Sequence, residues 1–297
     1  KIIWADINFN TRVVDLEDIK KKITSKTKAI VIVHLYGYAC DFRKIIGFCK
    51  KRKIKIIEDC AQSLGAEIKN RKTGTLADFS CYSFHAVKNI TTLGEGGMLY
   101  VKDKRLTLKV PGLRHNGHSQ YSSKRKNYWL PAMVNVDLDL QNKWPYKFTL
   151  SEIQCGAGIL MMKKIDKFNQ LRIKRAKQFV KSLKNFKELA FNSSFEKRRH
   201  VYHLLSAYYK PSKKINRNHL IEKLHKDYSV KCAIQFYPLY KYSLFKKMGL
   251  GRYQCPNTEK FYNNMISFPF HIWMTNKQFD YMISSVKKVL IYLQKYR

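Results

Sequence analysis

Along the first 110 residues, short apolar runs alternate with amphipathic stretches, the mark of an α/β layer architecture. Ala29–Leu35 (AIVIVHL) is β-branched and almost wholly apolar, which predicts a strand buried on both faces. Phe42–Arg52 has helical spacing, and Lys55–Ile57 runs into the acidic pair Glu58-Asp59. Phe79–Phe84 (FSCYSF) reads as another short strand, and Gly97–Val101 as a further one after a glycine turn; Lys1–Ile7 is also strand-like. Strand, helix, strand at this spacing implies a right-handed crossover and a mostly parallel sheet. Ligands of such sheets sit beyond the carboxyl ends of the strands, where Asp59 and the loop after Phe84 fall.

Residues 111–147 are irregular and rich in aromatic and polar positions, so they read as a long excursion. From Ser151 to about Leu189 the pattern is helical, with Ser151 as N-cap and Glu152 in the first turn. Beyond it come a strand-like Val201–Tyr209, a helix near Asn218–Lys226 and a strand at Val230–Phe236. Helices near Thr258–Asn264 and Asn276–Gln294 follow. This pattern predicts a large domain over 1–189 and a smaller α+β domain over 190–297.

Composition narrows the class. With 45% hydrophobic residues in 297, the chain folds around a core rather than staying disordered. No apolar run approaches the roughly 18–20 residues that a membrane span needs, and the N-terminus meets Asp6 too early for a signal peptide. The seven cysteines are odd in number, scattered and without a C-x-x-C pair, which fits reduced thiols in a cytoplasm rather than disulfides or zinc. The net charge of +37 could point to nucleic acid, but its 44 Lys and 14 Arg are spread over the whole length. A compositional drift with a solvated surface is the favoured reading, and its positive field would draw in an anionic substrate.

Three local signals carry chemistry. Glu58-Asp59-Cys60-Ala61-Gln62 closes a strand, where a carboxylate could bind a metal, form an ion pair or hold a cationic ring nitrogen. Ser83-Phe84-His85-Ala86-Val87-Lys88 sets a lysine among apolar neighbours, and desolvation of an amine frees it to attack a carbonyl. Gly94-Glu95-Gly96-Gly97 is a glycine turn into a strand, and such turns permit close backbone approach. Each has an ordinary structural reading alone; most lysines are simply solvated.

Together they resemble the DegT/DnrJ/StrS family of pyridoxal-phosphate (PLP) sugar aminotransferases. Members carry a run close to EDxAQxxGA…G…SFHxxKNITTGEGG, which here reads EDCAQSLGAEIKNRKTGTLADFSCYSFHAVKNITTLGEGG. Thr27-Lys28-Ala29-Ile30, Val33-His34-Leu35-Tyr36-Gly37, Tyr146–Gln154, Pro256–Glu259 and Ser267–His271 match other family segments, so the likeness covers nearly the whole chain. It implies the aspartate-aminotransferase fold, with a mostly parallel large domain and a smaller C-terminal α+β domain. It also implies that Lys88 holds PLP as a Schiff base and shuttles a proton. Asp59 would pair with the pyridinium nitrogen, Gln62 would contact the ring 3-oxygen and Ser83 the phosphate. The implied reaction moves an amino group from glutamate to a nucleotide-linked keto-sugar, in a homodimer serving polysaccharide or amino-sugar synthesis. His85 lies inside the motif without a distinct role.

The departures shape further expectations. Relatives carry an upstream segment whose Gly-Thr/Ser turn at a helix N-terminus supplies N–H groups to the phosphate, so the chain is expected to be N-terminally truncated. An Asn that reaches the neighbouring subunit's phosphate in relatives is replaced within Lys147, Phe148 and Thr149, where Lys147 would act as a point charge. Leu93 is an extra residue before the GEGG turn, and Arg114-His115-Asn116-Gly117 displaces the His of a family RxHG segment. Three rival readings stay open: a sugar 3-dehydratase of the same family, against which Lys88 argues because those enzymes place His there; a basic nucleic-acid-binding protein that has lost catalysis; and an inactive fragment.

Overall fold

A computed structural model of the chain describes residues 1–119, 127–129, 131–138, 143–192, 198–252 and 254–296. Its first sheet runs in the order β1 (Ala29–Val33), β2 (Lys55–Asp59), β3 (Phe79–Ser83) and β4 (Gly97–Val101). β1, β2 and β3 pair in parallel, and β4 joins β3 antiparallel across the glycine turn. The α/β architecture with a mostly parallel sheet is as the sequence predicts. Val33, Asp59 and Cys81 stand in one row across the sheet, so three strands end together at one carboxyl edge.

One face of this sheet carries a core. Ile30, Ile32 and Ile56 pack against Ile19 of α1 (Leu16–Lys22) and against Ile45 and Cys49 of α2 (Arg43–Lys51). Ile45 and Cys49 are four apart and share one helix face. The expectation that β1 is buried on both faces is corrected. Its burial alternates, and Val31 is 56% exposed. Both helices lie on the side of Ile30 and Ile32, and no described element covers the other side.

The second sheet is antiparallel, in the order β7 (Met265–Phe268), β6 (Leu205–Tyr209), β5 (Leu189–Ala190). Every residue of β6 and β7 is buried. Ala176 and Phe179 of α4 (Ile165–Ser182), Leu220 and Leu224 of α5 (Arg217–Tyr228), and Phe279, Val286, Val289 and Leu293 of α7 (Asn276–Gln294) enclose it. The apolar positions of α7 recur three and four apart, which lays one stripe on the sheet. A capping box between Thr275 and Gln278 starts that helix. α6 (Pro256–Asn264) is capped from a distance: Asp6 accepts the N–H groups of Asn257 and Thr258 at 2.9 Å each.

Three further predicted elements differ. The helical stretch after Ser151 is two helices, α3 (Glu152–Met162) and α4, with a break at Lys163–Lys164; Ser151 does form the expected N-cap, as a capping box with Gln154. Val230–Phe236 makes only one bridge, Ala233 to Ser267, because side chains take backbone groups that a ladder would use. The N–H of Gln235 meets Met265 Sδ, and its carbonyl accepts from the Tyr36 hydroxyl. Lys1–Ile7 likewise contributes one bridge, Ile7 to Val14; the N–H of Asp6 donates to the Asp18 carboxylate instead. Part of the 111–147 excursion (120–126, 130 and 139–142) lies outside the described residues.

A short hairpin, Glu67–Ile68 with Arg71–Lys72, pairs with Arg198–Arg199 and brings the chain ahead of β6 beside the loop that follows β2. Among the described residues, no helix is long and apolar enough to cross a membrane.

Candidate functional site

The carboxyl edge of the first sheet gathers the predicted residues. Asp59 ends β2, and its Oδ1 accepts from the N–H of Ala61 at 2.9 Å. Its second oxygen has no protein donor among the described residues. Gln62, one turn on, accepts the N–H of Tyr36 on Oε1 at 2.7 Å. A backbone N–H only donates, so the amide orientation is fixed and Nε2 keeps both hydrogens to give. Ser83 ends β3; its Oγ accepts from the N–H of His85 at 3.3 Å and retains its own proton for donation. Lys88 follows in a turn closed by its N–H on the His85 carbonyl at 2.9 Å. The side chain is half-buried, and Nζ has no hydrogen bond or ion pair among the described residues.

Directly beneath this edge lies a buried acid–imidazole pair whose own polar atoms are engaged, although the hydroxyl of Ser80, opposite Glu58 on β3, has no partner among the described residues. Glu58, the neighbour of Asp59, points to the opposite face and is fully buried. It accepts from His34 Nε2 at 2.9 Å and from the N–H groups of Gly74, Leu76 and Ala77. His34 Nδ1 accepts from the N–H of Cys40 at 3.0 Å, so the proton sits on Nε2 and faces the carboxylate. Burial works to raise the Glu58 pKa, but the His34 bond and the backbone donors outweigh it and hold it below the usual range. His34, Glu58 and Cys60 lie close enough to hold a metal ion. Their donor atoms are committed otherwise: both imidazole nitrogens and both carboxylate oxygens serve internal bonds, and burial pushes the Cys60 thiol strongly up.

Other sequence landmarks sit at the rim. His85 Nε2 lies 3.4 Å from Glu95 Oε1, in a largely exposed pair of little energetic weight. Leu93, the extra residue, takes a left-handed φ of 63° and is 67% exposed ahead of Gly94. Lys147 bridges His115 through the backbone. Desolvation, followed by the charge of Lys147, lowers the His115 pKa.

Sequence reasoning assigned no role to Tyr36, Asn89, Asn169 or His203, which bind the site residues to one another. Asn89 adjoins Lys88 in the motif and Tyr36 lies in the HLYG match, so those two had a signal. Asn169, on a polar-looking helix, and His203, before a strand, had none.

The four edge residues thus offer an amine, an open carboxylate oxygen, an amide donor and a hydroxyl donor. Such a set suits a planar ligand with an aldehyde, a protonated ring nitrogen, an anionic ring oxygen and a phosphate, the pattern of PLP.

The family model described as DegT/DnrJ/EryC1/StrS aminotransferase family matches residues 1–287. The uncharacterized protein MJ1066 of Methanocaldococcus jannaschii is 31% identical, over 98% of this chain and 74% of its own length. GDP-perosamine synthase of Escherichia coli O157:H7 is 28% identical over 96% of this chain and 72% of its own. The crystal structure of an aminotransferase from Psychrobacter cryohalolentis superposes with a TM-score of 0.89 at 24% identity, covering 98% of this chain and 76% of that one. On the extent of these matches, the chain belongs to the DegT/DnrJ/EryC1/StrS aminotransferase family.

Proposed function

We propose that this chain is a PLP-dependent aminotransferase that moves an amino group from glutamate to a nucleotide-linked keto-sugar, for surface polysaccharide or amino-sugar synthesis. The observation that carries the reading is the convergence of Lys88, Asp59, Gln62 and Ser83, each with an unspent donor or acceptor, at the carboxyl edge of one parallel sheet. When bound, PLP supplies an electron-accepting ring that stabilises charge as a proton leaves the carbon bearing the amino group. Lys88 Nζ would supply the amine that holds the cofactor through its aldehyde carbon, the aldehyde oxygen leaving as water, and as a free amine would act as the base for that proton. Asp59 Oδ2 keeps the ring nitrogen protonated. Gln62 Nε2 donates to the ring oxygen, and Ser83 Oγ donates to the phosphate. The net charge of +37 concentrates an anionic sugar nucleotide near the protein. GDP-perosamine synthase, among the relatives, is named for a nucleotide-linked sugar as its product. Neither the dehydratase nor the nucleic-acid reading is favoured, since Lys88 is present and the family is one of aminotransferases.

The proposal extends to organisation. Residues 1–189 form the PLP-binding domain and 190–297 the smaller one, with α4 lending Ala176 and Phe179 to the core of the second sheet. The protein acts as a homodimer. Helix α3 supports this, because none of its residues is buried and Ile153 is 78% exposed. An apolar helix left open in one copy is suited to cover by another. The cysteines are free, in keeping with a cytoplasmic location.

The test is the absorbance of protein mixed with PLP, for wild type and Lys88→Ala, before and after glutamate. A visible band in wild type alone, bleached by glutamate, is the expected result. Absence of the band from wild type, including from a longer protein with upstream residues, sinks the reading. Light scattering at matched salt tests the dimer, and a monomer at micromolar concentration removes it.

A further inference from the structure

We propose that His203 and Asn169 are positioning residues for Lys88 and Gln62, acting through one closed ring of hydrogen bonds. The role rests on the assignment of Lys88 and Gln62 to the cofactor site. The ring starts at Asn89, the residue after Lys88, whose Oδ1 lies 3.1 Å from His203 Nδ1. The N–H of His203 donates to the Tyr36 carbonyl at 2.9 Å, and the N–H of Tyr36 donates to Gln62 Oε1. Two residues past Gln62, the Leu64 carbonyl accepts from Asn169 Nδ2 at 3.0 Å, and Asn169 Oδ1 receives Asn89 Nδ2 at 3.2 Å. The circuit returns to the neighbour of Lys88.

Every proton in this circuit is assigned by the carbonyl at its far end. The Leu64 oxygen only accepts, so Asn169 must present its NH2 there and its oxygen to Asn89. Asn89 therefore presents NH2 to Asn169 and oxygen to the imidazole. His203 must donate from Nδ1. Its side chain is buried, and desolvation followed by the charges of Lys88 and Arg172 lowers its pKa to about 3, so the ring holds a neutral imidazole with one defined tautomer. Asn89 and Asn169 are buried as well.

The backbone around the ring is shaped to admit it. Gly37 has φ +87°, and a Cβ there would stand 2.9 Å from the His203 nitrogen and 3.1 Å from the Gln62 carbonyl oxygen. Gly65 has φ +79°, and a Cβ there would come within 2.6 Å of Asn169 Nδ2. Tyr36 and Tyr202, which flank the His203–Tyr36 bond, both hold left-handed φ values, 60° and 46°. A buried polar chain could serve stability alone. Here the circuit passes through Gln62 itself and through the residue bonded to Lys88, tying the loops beyond the ends of β1, β2 and β3 to Asn169 and His203, which lie outside that sheet. That is the arrangement a positioning role requires: the two groups cannot shift independently while it is closed.

The experiment compares wild type with His203→Asn, His203→Gln, His203→Leu, Asn169→Asp and Lys88→Ala. An Asn amide nitrogen takes the place of Nδ1, whereas a Gln amide nitrogen takes the place of Nε2. Asn169→Asp still accepts from Asn89 but cannot donate to Leu64, and opens the ring on its far side. The first readout is the rate at which borohydride traps PLP on Lys88, followed by mass. The second needs no PLP: acetylation of Lys88 by acetic anhydride, relative to exposed Lys163, followed by peptide mass across pH. We expect trapping to slow by about 10²-fold in His203→Gln, His203→Leu and Asn169→Asp, with His203→Asn within a few fold of wild type. The Lys88 to Lys163 acetylation ratio should shift in the same three variants and return in His203→Asn. Wild-type trapping in His203→Leu, or His203→Asn as impaired as Leu, overturns the proposal. If Leu does not fold, Asn169→Asp and the Asn–Gln contrast still decide. If wild type traps no PLP, the cofactor assignment falls, while an unchanged acetylation ratio in the ring variants separately removes the ring's role.

Discussion

Glu58 and Asp59 are adjacent carboxylates on one strand, yet they face two chemically opposite regions. Below the strand edge, Glu58 receives four donors and His34 has both ring nitrogens engaged. Above it, Asp59 takes a single backbone donor and leaves one oxygen open. Strand alternation alone sends the two side chains to opposite faces. What distinguishes them is how far each is satisfied by its own chain. A buried acid with all its partners is an anchor, and an acid with a vacant lone pair at the mouth of a parallel sheet is available to a ligand.

The largest effect should separate the two by stability. Glu58→Ala strands the His34 donor and three backbone N–H groups, and should cost about 3–5 kcal/mol in urea unfolding, as breaking a buried pair does. Asp59→Ala should cost less than about 1 kcal/mol, because only one hydrogen bond to Ala61 is lost. Equal losses would erase the contrast. Activity should invert the order. Asp59→Asn keeps the shape and the Ala61 contact but cannot hold a proton on a ring nitrogen, and kcat/KM should fall by about 10²–10³ at nearly unchanged Tm. Retained activity in Asp59→Asn would move the open carboxylate out of the chemistry.

Much of this was legible in the sequence. The apolar runs place β1, β2, β3 and β4 and the helices α2, α5, α6 and α7 close to their observed positions. The family resemblance carried by the EDCAQ and SFHAVK segments points to Asp59, Gln62, Ser83 and Lys88 as the site residues. What stays hidden is whatever depends on a distant partner. Val230–Phe236 has strand composition but loses its backbone groups to Met265 and Tyr36. β1 reads as doubly buried, since periodicity reports the side chains and not what is laid over them. Asn169 and His203 lie 80 and 114 residues from their shared partner Asn89, beyond any local pattern.

The pH dependence of stability should sharpen the comparison on a smaller scale. His203 has a folded pKa of about 3 against an ordinary 6.5, so the unfolded chain takes up its proton first as pH falls. Its contribution is present above 6.5 and is lost progressively below it. Glu58 is held below its ordinary 4.5, so its share is present above that value and is lost only at lower pH. Urea midpoints should therefore begin to drop below about pH 6.5 and fall more steeply below about 4.5. His203→Asn should flatten the slope between those two values and leave the lower limb in place. An unaltered slope would mean that other groups control the acid limb.

The smallest expected effect lies on the open side, at Leu93. This extra residue holds φ at 63° in the turn before Gly94, with most of its surface in water. A side chain with a Cβ is strained there, whereas glycine adopts that backbone freely at the cost of more chain entropy in the unfolded state. The two terms oppose, and Leu93, 67% exposed, has little burial to add to the second. Leu93→Gly should therefore raise stability slightly, by less than about 1 kcal/mol, with kcat/KM unchanged. A clear loss in urea unfolding would show that Leu93 is packed against something in the working protein, and that the open edge is covered there.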